Sequence, residues 1–257
     1  MDDVRSARRR FLARALGAAG TLALGGCERL SQSEWFPKVL SAGEVASSTV
    51  AHAVTSRKSM AQEFTDADRS PTFRSNGTAK PDTDEYRALA ANAFADYRLE
   101  VEGLVEKPAT FSLAELRALA SRTQITRHDC VEGWSAIAKW KGTRLSALLE
   151  AVRPKPEARF VVFYCADPMG EDETDFYYES IDFEDAFHPQ TILAYELNDA
   201  VLPIANGAPI RLRVERQLGY KHAKYVMRIE LVASFAAIEG GKGGYWEDQG
   251  YQWFAGI

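Results

Sequence analysis

The chain has 257 residues, of which 46% are hydrophobic, and a formal net charge of −5. This length and composition suffice for one full hydrophobic core and require no second domain. The acidic balance argues against a nucleic-acid-binding protein, which needs a clustered basic face, and three cysteines are too few for a disulfide framework.

The first 26 residues predict a targeting segment rather than part of the folded body. Arg8, Arg9 and Arg10 form a twin-arginine signal, and the apolar run 12–24 that follows is too short and too interrupted to span a bilayer. The run ends in Leu-Gly-Gly-Cys, which is typical of a bacterial lipobox with Cys27 as the acylated residue. A plain secretory leader with a chance cysteine is the alternative. The segment predicts twin-arginine export to the periplasm, with Cys27 as the membrane anchor.

The two ends of the remaining chain are predicted to be extensions of a body over 71–235. Residues 27–70 are polar and loosely patterned, apart from a possible helix over 49–64, and we predict a tether and N-terminal extension. The tail 236–257 is rich in glycine and aromatic residues, but it does not follow a strand and open a helix as a dinucleotide-binding loop does. We expect the tail to pack back on the body.

Within the body, strands and short helices interleave without the regular period of a doubly wound sheet. Alternating apolar and charged residues over 97–102 predict a strand. A capping box at Ser112 and Glu115 predicts the start of a helix that runs to about residue 120, and a second helix fits 143–152. Further strands are predicted over 159–165, 191–197, 210–215 and 225–233.

The stretch 126–135 places Cys130 between a basic approach and a tight turn at Gly133. Cysteine binds metal as the thiolate, and Arg127 and His128 could lower the pKa of Cys130 if they lie close to it in space. Neither Cys-X-X-Cys nor His-X3-His occurs, which argues against zinc. One protein sulfur at a metal whose other ligands come from an organic cofactor fits better. The alternative is a buried cysteine that acts as a small hydrophobic residue.

Three further motifs offer polar groups to an anionic cofactor. Residues 206–211 read Asn-Gly-Ala-Pro-Ile-Arg, in which the amide can donate and accept hydrogen bonds and Arg211 can clamp a phosphate. The others are Phe-Arg-Ser-Asn-Gly-Thr over 73–78 and Gly-Tyr-Lys-His-Ala-Lys over 219–224. Taken alone, the motif over 73–78 would be an ordinary turn. Arg213 is expected on the polar face of a strand.

Together with the run 140–149, these motifs resemble the sulfite oxidase family of molybdopterin enzymes, and in particular its bacterial periplasmic methionine sulfoxide reductase branch. The likeness extends from about residue 73 to residue 232. It implies an α+β, mixed-sheet sulfite oxidase-type fold in a single domain, with Mo-molybdopterin as the cofactor. It also implies that Cys130 is the only protein ligand to molybdenum, which carries in addition the two dithiolene sulfurs of the pterin.

The resemblance implies cofactor contacts from four other places in the chain. These are Arg74, Ser75 and Asn76 in the loop 73–78, then Cys165 at a strand end, then Asn206 and Arg211, and finally His222, Ala223 and Lys224 in a phosphate-binding turn. The reductase branch has a threonine at position 165, and sulfite oxidases proper usually have histidine at position 206. Arg127 is expected to polarise the substrate oxygen or anchor an anionic substrate, from its nearness to Cys130 alone, and His128 is a candidate proton donor.

The resemblance implies a periplasmic oxidoreductase that performs two-electron oxygen-atom transfer and reduces a sulfoxide- or N-oxide-type substrate. The chain contains no Cys-X-X-Cys-His haem motif, so electrons are expected from a separate carrier such as a membrane cytochrome. Sulfite-dehydrogenase-type oxidation is an alternative.

Two alternatives belong to other classes. The first is a cysteine-nucleophile enzyme that uses Cys130, His128 and Asp129, although such partners are normally distant in sequence. The second is a non-catalytic lipoprotein. Too few residues follow Val232 to build the immunoglobulin-like dimerisation domain of the family, so we expect a monomer.

Overall fold

The protein is described by a computed structural model over residues 59–170 and 175–257, together with a few positions before them: Ser33, Trp35, Phe36, Val39 and Gly43. The chain divides into two compact units, Met1–Thr55 and Ser56–Ile257. In the first unit the rings of Trp35 and Phe36 meet edge to face at 5.7 Å. The predicted leader and Cys27 lie outside the described residues, as do residues 49–58 of the predicted helix over 49–64. The end of that helix is not confirmed, because 59–64 is extended and Glu63 forms a β-bridge with Thr126.

The second unit combines strands with short helices. Its strands are β1 (Arg98–Gly103), β2 (Ala109–Ser112), β3 (Ser121–Cys130), β4 (Trp134–Arg144), β5 (Phe160–Pro168), β6 (Phe176–Asp182), β7 (Ile192–Leu197), β8 (Ala200–Val201), β9 (Arg211–Arg213) and β10 (Val226–Val232). Its α-helices are α1 (Asp84–Ala91), α2 (Leu113–Ala118), α3 (Leu145–Val152), α4 (Phe183–Ala186) and α5 (Tyr245–Asp248). Within the described part of the chain, no helix is long and apolar enough to cross a membrane.

The strands form two sheets. The first has the order β2-β1-β10-β5-β6, in which β1 and β10 are parallel and the other neighbours antiparallel. The second has the order β3-β4-β7-β8, with β9 also paired to β7, and all its pairs are antiparallel. The expected α+β fold with a mixed sheet is confirmed, and the second sheet adds an all-antiparallel layer to it.

The main hydrophobic core lies between the first sheet and the elements packed on it. It contains Leu99 and Val101 of β1, Leu145 and Leu148 of α3, and Phe163 of β5, all with no exposed surface. Removing apolar surface of this size from water is the dominant stabilising term in folding. A smaller cluster around Trp140 supports the second sheet.

Most of the predicted elements in the body are confirmed. The capping box forms as expected, because the Ser112 side chain accepts from the Glu115 N–H while the Glu115 carboxylate bonds the Ser112 N–H. The second helix begins at Leu145 rather than residue 143, since β4 continues to Arg144. The strand predicted over 210–215 is shorter, Arg211–Arg213. The long pairing of β3 with β4 was not predicted from the sequence, although it presents Cys130.

Candidate functional site

A β-hairpin presents Cys130 at its tip. Strands β3 and β4 pair from Ser121 opposite Thr143 to Cys130 opposite Trp134. Gly133 closes the turn with a φ of 83°, a conformation that favours glycine, and donates its N–H to the Cys130 carbonyl at 3.0 Å. The hairpin therefore fixes the direction of the cysteine side chain from backbone geometry alone.

The alternation of β3 separates the neighbours of Cys130 onto two faces. His128 and Cys130 share the buried face, with 1% and 7% of their surface exposed. Arg127 and Asp129 share the other face, where Arg127 Nε donates to Asp129 Oδ2 at 2.9 Å and the Arg127 side chain is 56% exposed. The structure does not bring Arg127 to the thiol, so the role expected for it loses its basis, which was nearness in sequence.

Cys130 lines a cavity of about 170 Å³. The cavity wall is built from the loop before α1, the end of β5, strand β6, the turn before β10 and the C-terminal tail. Its polar and aromatic members include Asn76, Thr78, Glu132, Asp167, Tyr177, Tyr220, His222, Lys224, Trp246 and Tyr251. Five segments that are far apart in the chain thus meet around one thiol.

Lys224 joins two of these segments. Its ammonium donates to the carbonyl oxygens of Asn76 at 2.7 Å, of Ala205 at 3.4 Å, and of Thr78. Burial lowers the pKa of Lys224 to about 8, with a further contribution from the Arg211 charge, while the neighbouring Asp167 opposes this shift. The loop 73–78 is therefore held against the turn that carries His222 by one buried cation.

Arg211 and Asn206 lie behind the cavity wall. The Arg211 guanidinium donates to the Asn206 carbonyl at 3.1 Å and to the His222 carbonyl at 3.3 Å. Burial lowers the pKa of Arg211 to about 9, helped by the charge of the adjacent Arg213. Ala223 lies in the core with no exposed surface, and its carbonyl accepts from the Leu212 N–H at 2.8 Å. Arg211 and Ala223 thus hold the backbone of the turn in place.

A buried ionic network contacts His128, which shares the buried face of β3 with Cys130. Arg213 has no exposed surface and forms an ion pair with Glu215, and its NH1 lies 2.8 Å from His128 Nδ1. The expectation that Arg213 stands on the polar face of a strand is wrong, because the Trp140 ring covers both Arg211 and Arg213 at 5.2 Å and 4.4 Å. Burial and these two cations hold the pKa of His128 well below its usual range, so its imidazole is neutral at neutral pH.

The surroundings of Cys130 raise its pKa rather than lower it. Burial is the largest cause, and the nearby Glu132 carboxylate adds to it, while the Arg74 charge and N–H groups of the turn oppose it. The expectation that Arg127 and His128 lower this pKa is therefore wrong: Arg127 points away, and His128 is neutral. A thiol in these surroundings loses its proton when a metal cation replaces it.

Several buried polar atoms around the cavity have no partner among the described residues. They are Asn76 Oδ1, His128 Nε2, Asp167 Oδ1, Asn206 Nδ2, Arg211 Nε and His222 Nδ1. Buried polar atoms are normally hydrogen-bonded, so such a concentration is typical of a site for a polar group. Acceptors and donors are both present, as a pterin with ring nitrogens and a phosphate requires. The residues therefore fit an anionic, hydrogen-bonding organic cofactor next to a single thiol.

Gly219 leaves room beside His128 at the base of the site. A Cβ at this position would stand 2.6 Å from His128 Nε2, closer than real Cβ atoms approach. The rings of His128 and His222 meet edge to face at 5.0 Å directly beside it. Within the described ranges, no group of three or more His, Cys, Asp or Glu side chains is arranged to hold a metal ion. A metal at Cys130 would need most of its ligands from a cofactor.

Other predicted contacts lie beside the cavity rather than in its wall. The Arg74 guanidinium stacks on the Trp134 ring at 5.5 Å, and Ser75 Oγ donates to the Ala205 carbonyl at 2.5 Å. Cys165 is buried on β5 and lines a separate cavity of about 390 Å³. Burial raises the pKa of Cys165 well above its usual range, so this thiol remains protonated.

Sequence reasoning missed Asp167 and the aromatic part of the wall. Asp167 is 4% exposed, and burial raises its pKa to about 7 against the opposing charge of Lys224. A charged residue two positions beyond Cys165 in an apolar strand was an available signal. Nothing local indicated Tyr177, Trp246 or Tyr251, since their positions depend on contacts between distant segments.

Comparison with known proteins shows what the chain is similar to. Residues 87–236 match the family described as the oxidoreductase molybdopterin binding domain. A protein of Azospira oryzae named as a protein-methionine-sulfoxide reductase subunit is 38% identical over 250 residues, which cover 97% of this chain and 88% of that protein. The Ralstonia nicotianae protein-methionine-sulfoxide reductase catalytic subunit is 32% identical over 237 residues, or 88% of this chain and 68% of that protein.

Two further similarities cover a smaller share of the other protein. The catalytic subunit from Xanthomonas axonopodis pv. citri is 36% identical over 168 residues, and the chain spans about half of it, 52%. The crystal structure of the sulfane dehydrogenase SoxCD from Paracoccus pantotrophus superposes with a TM-score of 0.49 and 25% identity, over 55% of this chain and 39% of that one.

Proposed function

The chain belongs to the family of molybdopterin-binding oxidoreductases, and on that premise we propose that it reduces a sulfoxide-type substrate with two electrons from a separate carrier. The observation that carries the proposal is the placement of Cys130 in the wall of a cavity whose lining residues Asn76, Asp167 and His222 each have a buried polar atom without a partner among the described residues. Relatives named as protein-methionine-sulfoxide reductase subunits support the substrate class.

Specific residues would hold the cofactor. Cys130 would supply the one thiolate to molybdenum, while His222 and Lys224 line the side of the cavity where a phosphate would bind. Arg211 would act from behind, through the backbone of Asn206 and His222. When bound, the molybdenum cofactor supplies two-electron oxygen-atom transfer chemistry.

The proposed reaction balances as a two-electron, two-proton reduction. The sulfur–oxygen bond of the sulfoxide breaks, the sulfur keeps an electron pair, and the oxygen leaves with two protons as water. Asp167 lies in the cavity wall with a pKa raised by burial to about 7, so its carboxyl can hold and give a proton at neutral pH. The surrounding wall leaves only 7% of the Cys130 surface exposed, which keeps bulk water away from the thiol.

The geometry does not support the cysteine-nucleophile alternative. Asp129, the residue that would have to orient His128, bonds Ser135 and Arg127 on the opposite face of β3. His128 contacts the cation of Arg213 instead of a carboxylate. The base and orienter of a nucleophilic triad are thus not assembled around Cys130.

The cellular placement is a second part of the proposal. The arginines at 8–10 and the lipobox ending at Cys27 support export of the folded, cofactor-loaded protein to the periplasm and attachment through lipid. A lipid-anchored monomer would lie close to membrane-bound electron carriers, so a membrane cytochrome is the partner we propose.

The test is purification of the whole chain after expression with its own maturation system, followed by metal and pterin analysis. We expect one molybdenum per chain. The enzyme is then supplied with a reduced viologen dye and assayed with sulfoxides and N-oxides, and separately with sulfite and an oxidised acceptor. If the enzyme turns over sulfite but no sulfoxide, or fails to reduce any sulfoxide, the proposed direction and substrate are wrong. If the protein is active without molybdenum, the proposed cofactor is wrong.

A further inference from the structure

The C-terminal tail is fastened to the same turn that carries His222. Lys221 Nζ donates to Glu247 Oε1 at 2.6 Å, and Tyr220 donates its hydroxyl to the Gln252 carbonyl at 2.6 Å. The Leu218 N–H donates to the Ala255 carbonyl at 2.9 Å. These bonds are made by buried or part-buried groups, so the tail has a fixed position against the cavity.

The fixed tail carries two aromatic side chains into the cavity wall. Trp246 and Tyr251 stack with ring centroids 5.3 Å apart and planes 28° apart. Tyr251 also meets Tyr220 edge to face at 5.3 Å. All three residues line the cavity that contains Cys130. We call Tyr220, Trp246 and Tyr251 the aromatic wall.

The aromatic wall extends from the cavity to the protein surface. Tyr251 is 40% exposed, whereas Tyr220 is 7% exposed and Trp246 is partly buried against the core. Elsewhere in the cavity lining stand the apolar side chains of Val131, which is 46% exposed, and Met169. A molecule that enters past Tyr251 thus meets apolar side chains in the lining of the cavity that contains Cys130.

The charges beside the wall disfavour a small anion. Glu132, two residues beyond Cys130, places a carboxylate in the cavity lining. Lys224, the cation in the lining, would be neutralised by the phosphate of the cofactor under the proposed function. A neutral substrate escapes the carboxylate repulsion and gains from contact with aromatic faces.

We propose that the aromatic wall determines substrate specificity by packing the apolar substituents of a neutral alkyl or aryl sulfoxide on Trp246 and Tyr251. The inference rests on the proposed function and names the substrate class of that same cavity. Both residues lie beyond residue 236, where the match to the molybdopterin-binding family ends. The sulfoxide oxygen then points toward Cys130, because the carbon substituents occupy the aromatic side of the cavity.

The experiment compares the holoenzyme with single variants on two substrates, methyl p-tolyl sulfoxide and dimethyl sulfoxide, with a reduced viologen dye as electron donor. The test variants are Tyr251→Leu and Trp246→Leu. Tyr251→Phe keeps the ring and loses only the hydroxyl, and Phe187→Leu removes an equally exposed aromatic ring, 39% exposed, outside the cavity lining. Molybdenum content is measured for every variant.

We expect Tyr251→Leu and Trp246→Leu each to raise KM for the aryl sulfoxide about three- to tenfold, the worth of one aromatic contact, with a smaller change in kcat. The inhibition constant of methyl p-tolyl sulfide, the product, should rise in parallel. For dimethyl sulfoxide, whose two methyl groups offer the rings little surface, KM should change less than about twofold in both leucine variants. KM for the aryl sulfoxide should change equally little in Phe187→Leu, because Phe187 lies outside the cavity lining. In Tyr251→Phe it should rise less than in Tyr251→Leu, because the ring is kept.

Different outcomes separate this inference from the proposed function. Sulfoxide turnover with an unchanged KM for the aryl substrate in both leucine variants overturns the role of the aromatic wall alone. A fall in molybdenum content in proportion to activity shows that these residues hold the cofactor and also overturns it. A wild-type holoenzyme that turns over no sulfoxide refutes the proposed function, and the inference with it.

Discussion

The buried ion triad beneath the tail gives the sharpest stability prediction. Lys221 donates to Glu247 Oε1 at 2.6 Å and to Glu179 Oε1, and the three side chains are at most 1% exposed. Lys221→Met keeps a chain of similar length in the same space and removes the cation. Two carboxyl groups are then left in the interior without a counter-ion, although the Ser180 N–H still donates to Glu179 at 2.7 Å.

The magnitude follows from the burial. Removing one partner of a buried ion pair costs about 3–5 kcal/mol, because the remaining charge has neither water nor a counter-ion. The total free energy of unfolding of an ordinary domain is about 5–15 kcal/mol, so Lys221→Met is expected to use up a large part of it. The tail should loosen first, since Glu247 is its charged anchor.

The effect has a definite pH dependence. Burial raises the pKa of Glu179 well above its usual range, and the neighbouring Glu247 adds to this shift while Lys221 opposes it. A carboxyl with a raised folded pKa contributes stability below its unfolded pKa and loses it as the pH rises toward the folded value. Without Lys221 the opposing charge is gone and the pKa of Glu179 rises further, so the stability gap between wild type and variant should widen as the pH rises through the folded pKa of Glu179 in the wild type.

The measurement is urea unfolding of the matched pair over a series of pH values. Lys141→Met is the control, because Lys141 pairs with Glu196 at 3.3 Å at the surface, where its side chain is 43% exposed and such pairs contribute about 0.2–1 kcal/mol. Adding Glu179→Gln and Glu247→Gln to Lys221→Met should recover much of the loss. A loss below about 1 kcal/mol, or one that shrinks as the pH rises, refutes the account of the triad.

Three other predictions concern the cofactor and export. Cys130→Ser should abolish sulfoxide reduction with an unchanged melting temperature, since a hydroxyl donates less charge to molybdenum than a thiolate; retained activity would remove the central role of Cys130. Lys224→Glu should lower molybdenum and pterin content, because two like charges about 4 Å apart cost roughly 4 kcal/mol at an effective dielectric of 20; full occupancy would place the phosphate elsewhere. Replacing all three arginines at 8–10 by lysine should leave cofactor-loaded protein in the cytoplasm, whereas Cys27→Ala should allow export but release the protein from the membrane. Cell fractionation checks both outcomes. Membrane retention of the Cys27→Ala protein after a salt wash would contradict lipid anchoring.

The sequence identified the parts of the site that lie in contiguous motifs. Cys130 before its glycine turn and the run 206–211 carry their chemistry in neighbouring residues, and the structure places Cys130 in the cavity wall with Arg211 behind it. The capping box at Ser112 was equally readable, because its hydrogen bonds close within one turn of helix. Local backbone geometry needs only local sequence.

Tertiary packing decided which face each residue shows and which segments meet. Arg127 is next to His128 in sequence yet lies on the exposed face of β3, because a strand alternates its side chains. Arg213 is buried rather than exposed because Trp140 from another strand covers it. Asp167, Trp246 and Tyr251 reach the cavity only through long-range contacts of the sheets and of the tail. The sequence by itself determined the cysteine motif and the family, whereas the cavity wall around Cys130 was set by the fold, since burial and charge environment depend on segments far apart in the chain.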